Sequence, residues 1–276
     1  MDDYCLLGNP VEHSRSPWIH ARFADLTGQP VRYGRRLVPL DGFIEAVRGF
    51  AAEGGRGCNV TVPFKFEAAS LASALSERAR LAEASNTLHF TTDGIHADNT
   101  DGAGLVQDIR VNAGFAIEGH DVLLIGAGGA SAGVLGPLLQ AGARRVTVAN
   151  RTVDKAHAII DRHAALAAQC GAVVDACALD AVVSAYDIVV NGTASSLAGA
   201  GVPVAASVLK PGALAVDMMY GPAAAGFMDW ARAHGATARD GLGMLVEQAA
   251  ESFLIWRGVR PPSAQVLGEL RKLVDG

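Results

Sequence analysis

The sequence predicts an α/β protein of two α/β units. One is a doubly wound parallel-sheet unit in the middle of the chain. The other is an N-terminal α/β unit completed by C-terminal helices. Three observations carry this reading. Residues 121–216 alternate short apolar runs with helical patterns, which is βαβ repetition and implies a parallel sheet with helices on both faces. The first hundred residues alternate strand and helix patterns on their own account. After Gly241 come two long amphipathic stretches with no strand pattern between or after them.

In the N-terminal part, Tyr4–Leu7, Val31–Leu37, Gly57–Val62 and Asn86–Phe90 read as strands, and Pro17–Leu26 and Phe43–Ala52 as helices. Asn59 and Thr61 alternate with Val60 and Val62, so the polar pair shares one strand face. Pro63 ends that strand and suits the start of a helix over Phe64–Leu71. Thr91–Gly94 is a turn between two short strands, and Gly102–Asn112 is a linking helix.

In the middle part, Asp121–Ile125 is a short apolar run of the kind a buried parallel strand needs. A glycine cluster follows, then a helix to about Ala141, a strand at Arg145–Ala149 and a helix at Val153–Ala168. Strands are expected at Ala172–Ala176, Asp187–Val190 and Ala213–Val216, with helices near Pro203–Leu209 and Ala223–His234. Leu242–Trp256 and Ser263–Val274 are the C-terminal helices, expected to pack back on the first unit. The boundaries so drawn are 1–101 plus 239–276 for the split unit and 102–238 for the middle one. A chain that crosses twice implies a cleft and a hinge.

Composition limits the function classes. Half of the 276 residues are hydrophobic and 18% are charged, enough to bury substantial cores. A net charge of −5 and a pI near 5.9 argue against nucleic-acid or anionic-membrane partners. No apolar run reaches membrane-spanning length, and no basic segment precedes an apolar stretch at the N-terminus. Cys5, Cys58, Cys170 and Cys177 are scattered, with no C-x-x-C pair, which reads as unpaired thiols in the cytoplasm. The eight histidines show no metal-ligand spacing, so no metal is expected.

Two motifs point to chemistry. Lys65 stands where the polar-faced strand meets a helix, and an ammonium near apolar residues suits proton transfer. A solvated lysine on a first turn is the alternative. Gly126-Ala127-Gly128-Gly129-Ala130-Ser131 follows a strand and opens a helix. Such a turn lets the backbone approach a pyrophosphate at a helix N-terminus. Ser131 takes the place of the third glycine and is small enough for helix–strand packing. The next strand ends in Asn150-Arg151-Thr152, with Lys155 one turn on. An acid at this place would bond a ribose 2′-hydroxyl, whereas arginine and a hydroxyl suit a 2′-phosphate. The cofactor implied is NADP; the alternative is an ordinary exposed basic turn.

Taken together, the chain resembles shikimate dehydrogenases over nearly its whole length. The pieces that carry the resemblance occur in order: Gly8-Asn9-Pro10-Val11-Glu12-His13-Ser14-Arg15-Ser16-Pro17 with His20 beyond, then Asn59 to Lys65, Ser85-Asn86-Thr87-Leu88 and Asn99-Thr100-Asp101-Gly102. The glycine loop, the Asn150 turn, Asn191-Gly192-Thr193 and Gly241-Leu242-Gly243-Met244 with Gln248 complete the set. Glu83-Ala84-Ser85 and Ala21 depart from the family's usual residues.

The resemblance implies a Rossmann-like NADP unit, a substrate unit, and reversible NADPH-dependent reduction of 3-dehydroshikimate to shikimate in aromatic amino-acid biosynthesis. It implies that Ser14 and Ser16 bond the substrate carboxylate. Asn59, Thr61, Lys65, Asn86, Asp101 and Gln248 would hold the ring hydroxyls, with Lys65 and Asp101 the catalytic pair. Tyr220 would approach the substrate from the cofactor unit. Asn191, Thr193, Met218, Gly241 and Met244 would lie near the nicotinamide. Without the resemblance, Ser14 and Ser16, the second in particular, read as a helix cap before Pro17, Asn86 and Asn99 as turn residues, and Gln248 as part of a solvated helix face. A quinate-using relative and an inactive dinucleotide-binding regulator are the competing functions. Ser16 speaks against the first, and Lys65 with Asp101 against the second. A monomer or a homodimer fits equally.

Overall fold

The computed structural model describes residues 1–193 and 202–275. The chain forms two compact units, Met1–Gly104 with Leu245–Gly276, and Leu105–Met244.

The first unit holds a six-stranded mixed sheet. Its elements are β1 (Asp2–Gly8), α1 (Ser16–Thr27), β2 (Val31–Leu37), α2 (Phe43–Ala52), β3 (Gly57–Val60), α3 (Lys65–Leu71), β4 (Ala74–Leu75), α4 (Glu77–Ala82), β5 (Thr87–Thr91) and β6 (Gly94–Asp98). The strand order is β2-β1-β3-β5-β6-β4. β1, β2 and β3 run parallel, and β5 and β6 form an antiparallel hairpin beside β3. Alternate strand residues Cys5, Leu7, Cys58, Val60, Leu88 and Ala97 pack with Phe43, Val47, Phe50, Phe64 and Ala68 of the helices and the turn before α3 in one core.

Two helices at the end of the chain return to this unit: α9 (Leu242–Arg257), most of which lies here, and α10 (Ser263–Asp275). Trp256 stacks on Tyr4 at 4.5 Å and donates its indole N–H to the Leu88 carbonyl at 3.1 Å. Arg22 of α1 grips Glu269 of α10 through two bonds of 2.6 and 3.0 Å. The pairing of C-terminal helices with the first unit is thus held by apolar stacking and a bidentate ion pair.

α5 (Asp101–Gln107) begins in the first unit and enters the second, where it widens into a π-helical turn at Asp108–Asn112. Asp108 is fully buried and pairs with Arg239 at 2.9 Å.

The second unit contains β7 (Asp121–Ile125), α6 (Gly129–Gln140), β8 (Arg145–Ala149), α7 (Val153–Cys170), β9 (Val173–Cys177), β10 (Tyr186–Asn191), β11 (Leu209–Asp217), α8 (Ala225–Ala233) and β12 (Thr237–Arg239). All its strand pairs are parallel, in the order β12-β11-β10-β7-β8-β9. The order reverses between β7 and β10, which is the switch point where doubly wound sheets bind ligands at strand carboxyl ends. Leu123, Ile125, Val189, Ala213 and Ala215 share a core with Phe227 and Ala231 of α8.

Four expectations change. The helix expected near Pro203–Leu209 is only a 3₁₀ turn at Ala206–Val208, because Leu209 pairs with Tyr186 and so begins β11. β11 is longer than the apolar run suggests, since Pro211-Gly212 lies within it as an irregularity. β3 stops at Val60 because Thr61 to Phe64 form a turn, in which Phe64 N–H bonds the Thr61 carbonyl. Val62 is therefore 63% exposed rather than on a strand face. β4, α4 and β12 are too short for a periodic signal.

Candidate active site

In the first unit the candidate residues gather at strand ends. Parallel pairing puts the carboxyl ends of β1 and β3 side by side. The chain leaves β1 towards Ser14 and Ser16, and leaves β3 towards Thr61 and Lys65. The Thr61 N–H bonds the Leu7 carbonyl at 2.9 Å, tying the two exits together. Gly8 is needed here: a Cβ on it would stand 2.3 Å from Thr61 Cγ2. Antiparallel pairing sets Thr87 opposite Asn59, so Asn86 lies beside Val60 and gives its carbonyl to the Val60 N–H.

The N-cap of α1 is Arg15, and the Ser14 Oγ accepts the Ser16 N–H at 3.2 Å. Ser16 is the first helical residue and is buried, and the two hydroxyls lie 3.2 Å apart. This pair of hydroxyls at a helix start suits a carboxylate.

Lys65 Nζ donates to Asp101 Oδ2 at 2.5 Å, with the two side chains 14% and 6% exposed. Asp101 begins α5, where the helix dipole favours an anion. Its other oxygen, Oδ1, accepts from Asn86 Nδ2 at 2.9 Å. Asn86 Nδ2 also reaches Gln248 Oε1 at 3.1 Å and Thr100 Oγ1 at 2.9 Å. Gln248 donates its own Nε2 to the Leu245 carbonyl. Lys65, Asn86, Asp101 and Gln248 are therefore one connected group.

Asn59 sits below that group and is 5% exposed. Its Oδ1 accepts from Tyr33 O–H at 2.8 Å, and its Nδ2 donates to the Asn86 carbonyl, Thr87 Oγ1 and Ser252 Oγ. The amide is spent inside the protein. Tyr33 is a sure donor, because burial pushes its phenol well above the usual tyrosine range. Tyr33, Thr87, Thr100 and Ser252 are thus part of the polar assembly though sequence reasoning names none of them as site residues. Thr100 was visible within the Asn99-Thr100-Asp101 run, whereas Tyr33 carries no motif.

In the second unit, Gly126 adopts φ 106°, and a Cβ there would press within 3.0 Å of Thr193 Cγ2. Gly128 is exposed at the N-cap of α6, and a Cβ on it would meet nothing within 4 Å. Ala127, Gly129 and Ala130 complete the loop and are half-buried. This open backbone at a twelve-residue helix's N-terminus fits a pyrophosphate. Asn150 Nδ2 donates to the Thr152 carbonyl at 2.8 Å and shapes the turn that displays Arg151. Arg151, Thr152 and Lys155 are exposed. Among the described residues neither Arg151 nor Lys155 has an ion-pair partner, so their charges are available to a 2′-phosphate.

Asn191 ends β10 and donates to Asp217 Oδ2 at 2.9 Å, while its Oδ1 accepts from Thr193 O–H at 2.8 Å. Gly241 packs against backbone, since a Cβ there would lie 2.3 Å from the Met218 carbonyl oxygen. Met218 and Tyr220 are half-buried after β11, and Met244 is buried in the first turn of α9. Among the described residues no cluster of three or more His, Cys, Asp or Glu is able to hold a metal ion, and no helix is long and apolar enough to cross a membrane.

The chain matches known proteins along most of its length. Residues 6–88 match the shikimate dehydrogenase substrate binding domain, residues 110–212 the shikimate / quinate 5-dehydrogenase family, and residues 241–271 the shikimate 5'-dehydrogenase C-terminal domain. The shikimate dehydrogenase (NADP(+)) of Verminephrobacter eiseniae is 66% identical over 98% of this chain and 94% of its own. Among solved structures, the Ael1 enzyme of Pseudomonas putida is 43% identical with a TM-score of 0.89, covering 98% of both chains. Shikimate 5-dehydrogenase of Thermus thermophilus, in complex with NADP(H) and shikimate, is 28% identical with a TM-score of 0.85, covering 99% of both chains.

Proposed function

This chain belongs to the shikimate dehydrogenase family, and from that premise we propose how its own residues carry out the NADP-dependent interconversion of 3-dehydroshikimate and shikimate. Substrate binding is assigned to the unit built from the two chain ends, and cofactor binding to the middle unit. The observation that carries the reading is the Lys65–Asp101 pair at 2.5 Å, bonded through Asn86 to Gln248.

When bound, NADPH supplies the hydride that reduces the ketone. The residues near the substrate then have three tasks. Ser14 and Ser16 hold the carboxylate with their hydroxyls. Thr61, Asn86 and Gln248 surround the ring hydroxyls with neutral donors and acceptors, as a polyhydroxylated acid requires. Asn59 supports them from below. Lys65 gives a proton to the carbonyl oxygen as it becomes an alcohol, and takes it back in the reverse direction. Asp101 orients the ammonium and accepts from a ring hydroxyl. Tyr220 is assigned to the substrate as the family resemblance implies.

On that unit, Gly126 to Ala130 take the pyrophosphate, and Asn150, Arg151, Thr152 and Lys155 the 2′-phosphate. Asn191, Thr193, Met218, Gly241 and Met244 position the nicotinamide. The enzyme acts on a small molecule in the cytoplasm as a monomer or homodimer, without nucleic acid or membrane. Formation of reduced nicotinamide from shikimate and NADP tests the reading. The expected order of kcat/KM is shikimate with NADP above quinate with NADP, and NADP above NAD. No turnover of shikimate, or a higher kcat/KM for quinate, overturns it.

A further inference from the structure

Behind the proposed ring contacts lies a buried cluster of three hydroxyls. Thr87, Thr100 and Ser252 are each 1% exposed or less. Thr87 Oγ1 stands 2.8 Å from Ser252 Oγ and 3.4 Å from Thr100 Oγ1, and Thr100 Oγ1 is 3.2 Å from Ser252 Oγ. Each hydroxyl has one proton to give, so the cluster has a direction. Ser252 donates to the Gln248 carbonyl one helical turn back, at 3.1 Å. Thr87 accepts from Asn59 Nδ2 at 3.1 Å and donates to Asn86 Oδ1 at 2.9 Å.

Tyr33 gives this chain its starting direction. Its O–H occupies Asn59 Oδ1, so the amide nitrogen of Asn59 must face Thr87. The Thr87 oxygen receives that N–H and turns its own proton to Asn86 Oδ1. The Thr100 N–H bonds the same oxygen at 2.8 Å. With Oδ1 held from two sides, Asn86 Nδ2 is left facing Asp101 Oδ1. A flipped Asn86 would set a carbonyl oxygen against the carboxylate that holds Lys65.

We propose that Thr87 is a positioning residue. It locks the Asn86 amide in the orientation that supports the Asp101–Lys65 pair, and it does so through its hydroxyl, not its methyl. The proposal rests on the function assigned above to Asn86, Asp101 and Lys65. Thr87 does not itself meet substrate in this account.

Two variants of Thr87 separate hydroxyl from shape. Thr87→Val keeps the volume and loses the hydroxyl; Thr87→Ser keeps the hydroxyl and loses the methyl. Steady-state rates with shikimate and NADP, with thermal melting alongside, read the outcome. Thr87→Val should lower kcat about tenfold, the scale of one lost buried hydrogen bond. The Michaelis constant for shikimate should move less, and that for NADP not at all. Thr87→Ser should stay near the parent. Parental kcat in Thr87→Val overturns the proposal, as does a loss in Thr87→Ser as large as in valine, which would show a packing role. If the valine protein does not fold, a tenfold loss of kcat in Thr87→Ser still overturns it. Failure of the parent to oxidise shikimate would instead strike the functional reading.

Discussion

The imidazole of His20 lies flat on the phenol of Tyr33, with ring centroids 4.1 Å apart and planes 6° apart. Phe23, Phe253 and Trp256 surround the same imidazole, and among the described residues neither ring nitrogen has a hydrogen-bond partner. Burial is complete and drives the His20 pKa down to about 3. The histidine of the first helix is thus an aromatic strut under Tyr33, and through it under Asn59.

That burial has a measurable pH consequence. The unfolded chain takes up a proton on His20 near its ordinary pKa, and the folded chain does so only near pH 3. The folded state therefore binds fewer protons between those values. Stability is lost as pH falls below the unfolded pKa, by about 1.4 kcal/mol per pH unit for one full proton. His89 and His163 are also shifted down by burial and add slope of the same sign. His20→Phe should remove about one proton's worth of slope while leaving theirs. Urea unfolding of both proteins between about pH 4 and 6 measures it. Equal slopes would show that His20 is not buried as a neutral ring.

The glycines of the second unit differ in what they do, and two substitutions should separate them. Gly241→Ala forces a Cβ to 2.3 Å from backbone oxygen, so the fold must shift and melting should drop. Gly128→Ala places its methyl in open space at the N-cap of α6. It should leave melting unchanged yet raise the Michaelis constant for NADP about tenfold or more, because the pyrophosphate needs that backbone bare. A Gly128→Ala enzyme with parental NADP affinity would remove the loop from the cofactor site.

How far the sequence reaches depends on whether an interaction is local. The Gly126 turn, the Asn150-Arg151-Thr152 turn and the run ending at Lys65 are short segments whose chemistry lies in neighbouring residues, so they are legible. The parallel direction of β7, β8, β10 and β11 is legible from the alternation of strand and helix patterns, since parallel strands need long crossover connections. Asn59 shows the limit. Alternation puts it on a polar strand face, but nothing in the segment reveals that Tyr33, on another strand, takes its oxygen. The strand over Ala213–Val216 is legible, but its early start at Leu209 is not, for a related reason: pairing with Tyr186 decides it, and local propensity does not.

The proposed role of Arg151 sets an expectation for cofactor choice. A charge-assisted hydrogen bond to a phosphate contributes about 1.5–3 kcal/mol, so NADP should be preferred over NAD by about tenfold or more. Arg151→Ala should erase most of that preference by weakening NADP and leaving NAD nearly unchanged. Specificity constants with both cofactors provide the check, and an equal loss for both would place Arg151 elsewhere than at the 2′-phosphate.

The central claim is that Lys65 carries the proton in the interconversion of ketone and alcohol, held in place by Asp101. Lys65→Ala removes the group without touching the buried core, since the side chain is partly exposed and pairs only at its tip. The direct measurement is its turnover number for shikimate oxidation with saturating NADP. The expected value is at least about a hundredfold below the parent, the usual scale for losing general acid–base help, with a much smaller change in the Michaelis constant. A Lys65→Ala enzyme that turns over at near the parental rate would contradict the assignment.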